Sequence, residues 1–229
     1  MPNEIIPYLE MCRREGVSLQ RGMNFQLGYN HSVILMSVRT NAPYADRFED
    51  DGTTIVYEGH DVPRSAEISE PKKVDQPKRT PAGQLTENGK FHRAAQEAKQ
   101  GVHVPERVRV YEKIKQGIWS YNGVFHLVDS WQESCDGRKV FKFKLVAVEG
   151  EEDFDQPIPV NPMKRRVIPT AVKLEVWKRD GGKCAKCGAK EDLHFDHIIP
   201  WSKGGSSSTA DNIQLLCGKH NLEKRDRIE

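Results

Sequence analysis

The sequence predicts an α+β protein in two parts: a twisted β-barrel with flanking helices, then a small ββα unit that needs a staple. Three observations predict it. Five runs rich in β-branched and aromatic residues fall between residues 31 and 148. The stretch "VEGEEDFDQPIPVNPMKRRVIP" (148–169) then turns acidic, proline-rich and basic in succession. After it, three of the five cysteines gather in the last quarter of the chain.

The strands follow in order. "HSVILMSVR" (31–39) reads as a buried strand and "TTIVYEG" (53–59) as a second. "RVRVYEKI" (107–114) and "GVFHLVDSW" (123–131) come next. "VFKFKLVAV" (140–148) alternates, with Phe141, Phe143 and Leu145 on one side and Lys142 and Lys144 on the other. "NGKFHRAAQEAKQG" (88–101) predicts a helix with a glycine stop, and the Pro- and Lys-rich 63–83 predicts a long exposed loop. The prolines of 148–169 disfavour helix and interior strand, so 151–166 is expected to be an extended linker between a domain at 1–150 and one at 167–229. In the second part, "TAVKLEVWKRDGG" predicts a helix with Thr170 as N-cap and a stripe of Ala171, Val172, Leu174, Val176 and Trp177. A strand pair is expected around Leu193 to Ile199, and a last helix from near Asp211 or Leu216.

Composition narrows the class. At 229 residues, 37% hydrophobic and 30% charged, the chain fits a soluble globular protein. No apolar run approaches the ~20 residues that span a bilayer. "MPNEIIPYLEMCRREG" lacks the basic and apolar regions of a signal peptide, so a cytoplasmic protein without membrane contact is expected. An odd number of cysteines argues against a disulfide framework. From Lys164 onward there are 14 Lys+Arg against 9 Asp+Glu, net +5; the rest holds 21 against 24, net −3. A basic C-terminal unit suits a polyanionic partner.

Cys184-x-x-Cys187 and Cys217-x-x-His220 are two pairs of ligands at zinc-knuckle spacing. Together they make a Cys3His set that closes a tetrahedron, so the zinc expected here is structural, with no open position. A unit this small lacks the core to hold itself, and a metal supplies the missing stability.

That zinc leaves "LHFDHIIPWSKGG" unused. On a strand His194 and Asp196 share a side and His197 takes the other. Asn212 and Asn221 follow in "DNIQLLC" and "HNLEK". DHIIP, the Gly-Gly turn, NIQLLC and Cys-x-x-His-Asn-x-x-Lys together resemble the HNH nuclease family, the ββα-metal fold, over about residues 167–226. The resemblance implies phosphodiester hydrolysis, which needs an activated water and a cation against developing charge. It makes His197 the general base, Asn212 the residue that orients its ring, and Asp196 and Asn221 the oxygen ligands of a catalytic Mg2+ or Mn2+. Lys224 is placed for a phosphate contact. Many members carry His where this chain has Asn221. His194 is read first as an ordinary strand residue, with a supporting group behind the site or an alternative metal ligand as the other readings.

The first part has its own resemblance. "NAPYADRFEDDGTTIVYEGHD" (41–61), "QLTENGKFHRAA" (84–95), "VRVYEKI" (108–114) and "YNGVFHLVDSW" (121–131) are similar, in that order, to the SRA domain. That family recognises 5-methylcytosine by flipping it from the duplex, which costs a few kcal/mol that stacking and edge contacts offset. The resemblance makes Tyr44 and Tyr57 the stacking rings and Asp46 the acceptor for the exocyclic amine. Glu58 stands where the family has Thr beside the base. The spacing from Tyr44 to Gly52 is one residue longer than in eukaryotic members, so Glu49, Asp50 and Asp51 stand behind Asp46 as alternative acids. His60, Asp61 and Arg64 are candidates for the pocket rim or for a phosphate contact, and residues 28–31 for a loop that enters the duplex.

Both resemblances together imply an SRA-like barrel fused to a zinc-stapled ββα-metal (HNH) domain. The activity implied is a modification-dependent endodeoxyribonuclease, a restriction enzyme of type IV or IIM kind. Its partner is double-stranded DNA containing 5-methylcytosine or 5-hydroxymethylcytosine, and a homodimer is expected because one HNH site cuts one strand. Two alternatives stand beside it: a reader of modified bases with an inert HNH unit, and a nicking nuclease indifferent to modification.

Overall fold

The computed structural model describes residues 2–27, 31–148 and 167–228. The expected linker (151–166), the acidic run at 149–155 and residues 28–30 of the expected duplex-entering loop lie outside the described residues, as does the side chain of Asp51.

The chain opens with strand β1 (Glu4–Pro7) and helix α1 (Tyr8–Glu15), for which the sequence carried no clear signal. Next come β2 (Met23–Leu27), β3 (His31–Met36), β4 (Arg47–Glu49) and β5 (Thr54–Glu58). The loop expected over 63–83 follows, interrupted by a 3-10 turn at 71–73. Helix α2 (Glu87–Lys99) starts where Thr86 accepts the Gly89 N–H, an N-cap that satisfies an otherwise orphaned donor. Strands β6 (Glu106–Lys115), β7 (Ile118–Cys135) and β8 (Arg138–Ala147) form a long meander. Register shifts between Val110 and Tyr111 and between Leu127 and Asp129 let β7 stay continuous and bend, so the strand expected at 123–131 is part of an 18-residue one.

The strands form one sheet in the order β10-β9-β1-β7-β6-β3-β2, with β8, β5 and β4 branching from β7. Its last two members are β9 (Leu193–His197) and β10 (Ile213–Cys217) of the second part. The fold is α+β as expected, but the sheet does not close, so it is a strongly bent open sheet and no barrel. Pairing is antiparallel apart from β3 against β6. The main core lies beneath the meander, where Phe91 of α2 packs on Phe143 and Phe25. Phe141, Phe143 and Leu145 are buried as the alternation predicts. Lys142, on the other side of β8, is buried too, because it meets an acid described below.

Helix α3 (Thr170–Arg179) shows a larger departure. Its N-cap position is Pro169, and Thr170 spends its hydroxyl on Glu112 of β6 instead of capping. Ala171 and Leu174, expected in the apolar stripe, face outward, and the buried face is Val172, Lys173 and Val176. Lys173 is tolerated there because Glu112 and Asn122 receive its ammonium. The final helix, α4 (Gly218–Lys224), begins after β10, while 210–212 makes only a 3-10 turn.

Candidate functional site

Two sites emerge, one in each part. In the first, β3, the 37–46 segment, β5 and the residues before β2 enclose a cavity of about 560 Å3. Tyr44, Asp46 and Tyr57 line it, together with His60, Arg39 and Lys113. Tyr57 and Glu58 are consecutive on β5 and so point to opposite faces. Tyr57 faces the cavity and Glu58 faces away. Glu58 therefore does not stand beside the cavity as the resemblance implied. It is buried with Lys142 Nζ at 2.9 Å and Arg138 at 3.4 Å, and it accepts the Ala45 N–H at 3.1 Å. From behind, it braces the segment that carries Tyr44 and Asp46. The alternation of β8 gave no sign of this ion pair, whose partners lie 84 residues apart.

Asp46 is held by two backbone donors, Glu58 N to Oδ1 at 3.0 Å and Ser37 N to Oδ2 at 3.1 Å. Burial pushes its carboxyl up to about 7, against the pull of those donors. Of the alternative acids, Glu49 pairs with Arg47 and Asp50 accepts from Thr54; neither lines the cavity.

His60 is the residue the sequence placed only at the rim. Its ring stacks on Tyr44 at 5.5 Å between centroids, and its Nε2 lies 3.1 Å from the Tyr57 hydroxyl. Burial pushes this imidazole down to about 4, helped by the charges of Arg21 and Lys72, so it is neutral at ordinary pH. The other side of this arrangement is Gly22, where an added Cβ would come within 2.7 Å of His60 Nε2 and 2.8 Å of the Tyr57 oxygen. Asp61 turns from the cavity to Arg138, at 2.5 Å. The Lys72 ammonium sits 4.0 Å from the centre of the Tyr44 ring.

In the second part, Cys184, Cys187, Cys217 and His220 converge, with all ligand atoms within 4.8 Å of one another. Cys184 Sγ and Cys217 Sγ each lie 3.4 Å from His220 Nδ1, and Cys187 Sγ lies 3.9 Å from Cys217 Sγ. Bonds of ~2.3 Å to sulfur and ~2.0 Å to nitrogen at tetrahedral angles require ligand separations of about this size, so the four fit one metal ion. Burial would raise the Cys184 thiol. Backbone N–H groups of Cys217, Cys187 and Lys186 and the His220 ring outweigh it and bring it down to about 6, which favours the thiolate a metal needs.

The β9–β10 hairpin carries the rest. His197 Nε2 lies 2.8 Å from Ser207 Oγ. Asn212 does not touch the His197 ring. Its amide clamps the intervening loop, with Oδ1 accepting from Ile199 N at 2.8 Å and Nδ2 donating to the carbonyls of Ile199 and Ser206 at 3.0 and 2.8 Å. It thereby fixes the segment that presents Ser207. Nothing in "SSS" at 206–208 marked Ser207 beforehand. The Gly-Gly turn is needed here: Gly204 has φ +86°, and a Cβ on Gly205 would collide with the Ile199 carbonyl.

Lys224 is placed otherwise than the resemblance implied. It is buried, with Nζ 3.1 Å from Asp196 Oδ2 and 2.6 Å from the His197 carbonyl, so it holds these two residues in place. Asn221 lies one turn earlier on α4, so it shares the helix face that packs on β9. Burial, with the Lys224 charge nearby, lowers the His197 pKa and keeps the ring neutral and able to accept a proton. His194 is buried, with Nε2 3.1 Å from Asp192 Oδ1.

The chain thus carries two sites: a cavity walled by aromatic rings and an acid in an open bent sheet, and a Cys3His unit beside an Asp-His strand. Residues 11–151, more than half of the chain, match the SAD/SRA domain family, and the chain belongs to it. Residues 184–227 match the HNH endonuclease family, and this part is an endonuclease domain. Among solved structures, the chain is similar to the SUVH5 SRA domain in complex with hemimethylated CG DNA (21% identity, 65% of this chain and 88% of that one, TM-score 0.44). It is also similar to the modification-dependent restriction endonuclease TagI (17%, 97% and 76%, 0.44) and the DNA modification-dependent restriction endonuclease AspBHI (15%, 61% and 67%, 0.44). No curated protein matches it. No described helix is long and apolar enough to cross a membrane.

Proposed function

We propose that the chain is a modification-dependent endonuclease that takes a flipped 5-methylcytosine or 5-hydroxymethylcytosine into the cavity and hydrolyses a phosphodiester nearby. One observation carries this reading: Tyr44, Asp46 and Tyr57 line one cavity in a chain that also presents Asp196-His197 on an HNH hairpin. A flipped base offers flat faces to Tyr44 and Tyr57 and an exocyclic amine to Asp46. His60 is within ring contact of both tyrosines, so an entering base moves it or stacks against it.

At the nuclease site His197 is the general base. With Nε2 against Ser207, Nδ1 is the nitrogen that takes a proton from water. Asp196 and Asn221 supply a carboxylate and an amide oxygen, the donor chemistry a hard Mg2+ or Mn2+ accepts. That ion, when bound, stabilises the charge that develops on the phosphate. Zn2+ in the Cys3His site is structural. Each site cuts one strand, so two copies of the chain on one DNA complete a double-strand break.

The test is cleavage of one plasmid in unmodified, 5-methylcytosine and 5-hydroxymethylcytosine forms, with Mg2+ and with Mn2+. Cutting confined to a modified form, lost in His197→Ala and weakened in Asp46→Ala, supports the reading. Equal cutting of all forms overturns the modified-base reader, and no cutting at all overturns the nuclease.

A further inference from the structure

The nuclease part is built into the sheet of the reader part. Asn3 donates its N–H to the Tyr121 carbonyl of β7 at 2.7 Å and accepts the Phe195 N–H of β9 at 3.0 Å. Strand β1 thus pairs with β7 along Glu4 to Pro7 and meets β9 at Glu4 opposite His194. Beneath this seam Ile5 and Ile114 pack with Val172, Val176, Phe195 and Ile213. Beside it lies a sealed polar cluster. Lys173 Nζ of α3 reaches Glu112 Oε2 at 2.7 Å and Asn122 Oδ1 at 2.6 Å, and Asn122 Nδ2 donates to Glu112 at 3.0 Å.

Strand β6, which carries Glu112, and the residue after β1 reach the cavity. Lys113, between Glu112 and Ile114 on β6, faces the cavity while its neighbours face the nuclease part. Tyr8, directly after β1, also lines the cavity. At ~3.3 Å per residue, Glu4 and Tyr8 are at most about 13 Å apart, so one short segment runs from the nuclease strand to the base pocket. Both described ends of the connecting segment are tied to the reader: Val148 N bonds Val124 O at 3.3 Å, and Val167 N bonds Gly52 O at 3.1 Å.

We propose that this seam of β1 with the Glu112–Lys173–Asn122 cluster fixes the distance from modified base to cut, and that the 151–166 segment does not. These are positioning residues, and the proposal rests on the modified-base nuclease reading. A dozen Gly-Ser residues inserted within 151–166 leave the cut at its wild-type position. Lys173→Ala, which empties the sealed cluster, spreads the cuts over several positions while the dependence on modification stays. A shifted or spread cut in the insertion chain overturns the proposal, and so does an unchanged single cut in a folded Lys173→Ala.

A second measurement needs no activity. A protease site is placed within 151–166 and cut after folding. The two pieces then remain in one gel-filtration peak that retains zinc; separation of the pieces overturns the proposal. If wild type cuts no modified DNA, the nuclease reading fails, and this co-migration still decides the seam.

Discussion

The Lys224 ammonium lies 3.1 Å from Asp196 Oδ2 and is itself fully sealed from solvent. A lysine in this position acts by holding a carboxylate and a strand carbonyl. Lys224→Met is therefore expected to cut turnover by at least about tenfold with DNA affinity nearly unchanged. A phosphate contact would change the slope of log affinity against log salt by about 0.9. Binding titrations at several salt concentrations check this, and a slope change of that size would restore the phosphate role.

Ser207 Oγ lies 2.8 Å from the His197 ring. Ser207→Ala should lower kcat about ten- to a hundredfold with KM little changed, as expected for a misaimed base. Because burial and Lys224 lower the His197 pKa, the acid limb of the rate should fall below the ordinary histidine value of 6.5. Single-turnover rates across pH test both statements.

Glu112 and Lys173 have no exposed side-chain surface and stand 2.7 Å apart. Removing either partner alone leaves a buried charge, which costs about 3–5 kcal/mol. Glu112→Leu and Lys173→Met singly should each lower the urea midpoint, while the double variant recovers most of the loss. Additive losses in the double-mutant cycle would show that the two do not act as a pair.

Asp46 has its carboxyl raised from 3.8 to about 7 by burial. The folded chain then binds a proton more tightly than the unfolded one, so this group favours folding below pH ~4. That contribution is lost as pH rises toward 7, on the order of 4 kcal/mol in all. Asp46→Asn should be less stable at low pH, because its amide meets two N–H donors, yet lack this fall. Urea midpoints of both proteins from pH 4 to 8 check it; parallel curves would refute the assignment.

The Cys3His cluster should hold one zinc per chain. Cys217→Ser or a strong chelator should release it and melt the β10–α4 region, since metal binding there is folding energy. Metal analysis and thermal unfolding read the outcome. An unchanged Tm after complete metal removal would make the site incidental.

Much of this was legible in the sequence because it depended on local pattern. The Cys-x-x-Cys and Cys-x-x-His pairs needed only spacing, and the ligand atoms do converge. The strands of the meander followed from alternation and β-branching. Tyr44, Asp46 and Tyr57 line one cavity. Lys142, Lys173 and Lys224 are all buried, each against an acid distant in sequence, a pairing that no local pattern marks. Glu58 faces away from the cavity because it follows Tyr57 on one strand.

By itself, the sequence determined the strands of the meander, helix α2, the candidate metal ligands and the two family resemblances, since these rest on near-neighbour spacing and side-chain period. Only the tertiary structure decided that the sheet stays open, that Ser207 instead of Asn212 meets His197, and that β1 joins the two parts. Those outcomes depend on hydrogen bonds and buried charge pairs between residues far apart in the chain, for which no local pattern exists. Asn3 shows the reason most plainly: one residue bonds Tyr121 with its N–H and Phe195 with its carbonyl.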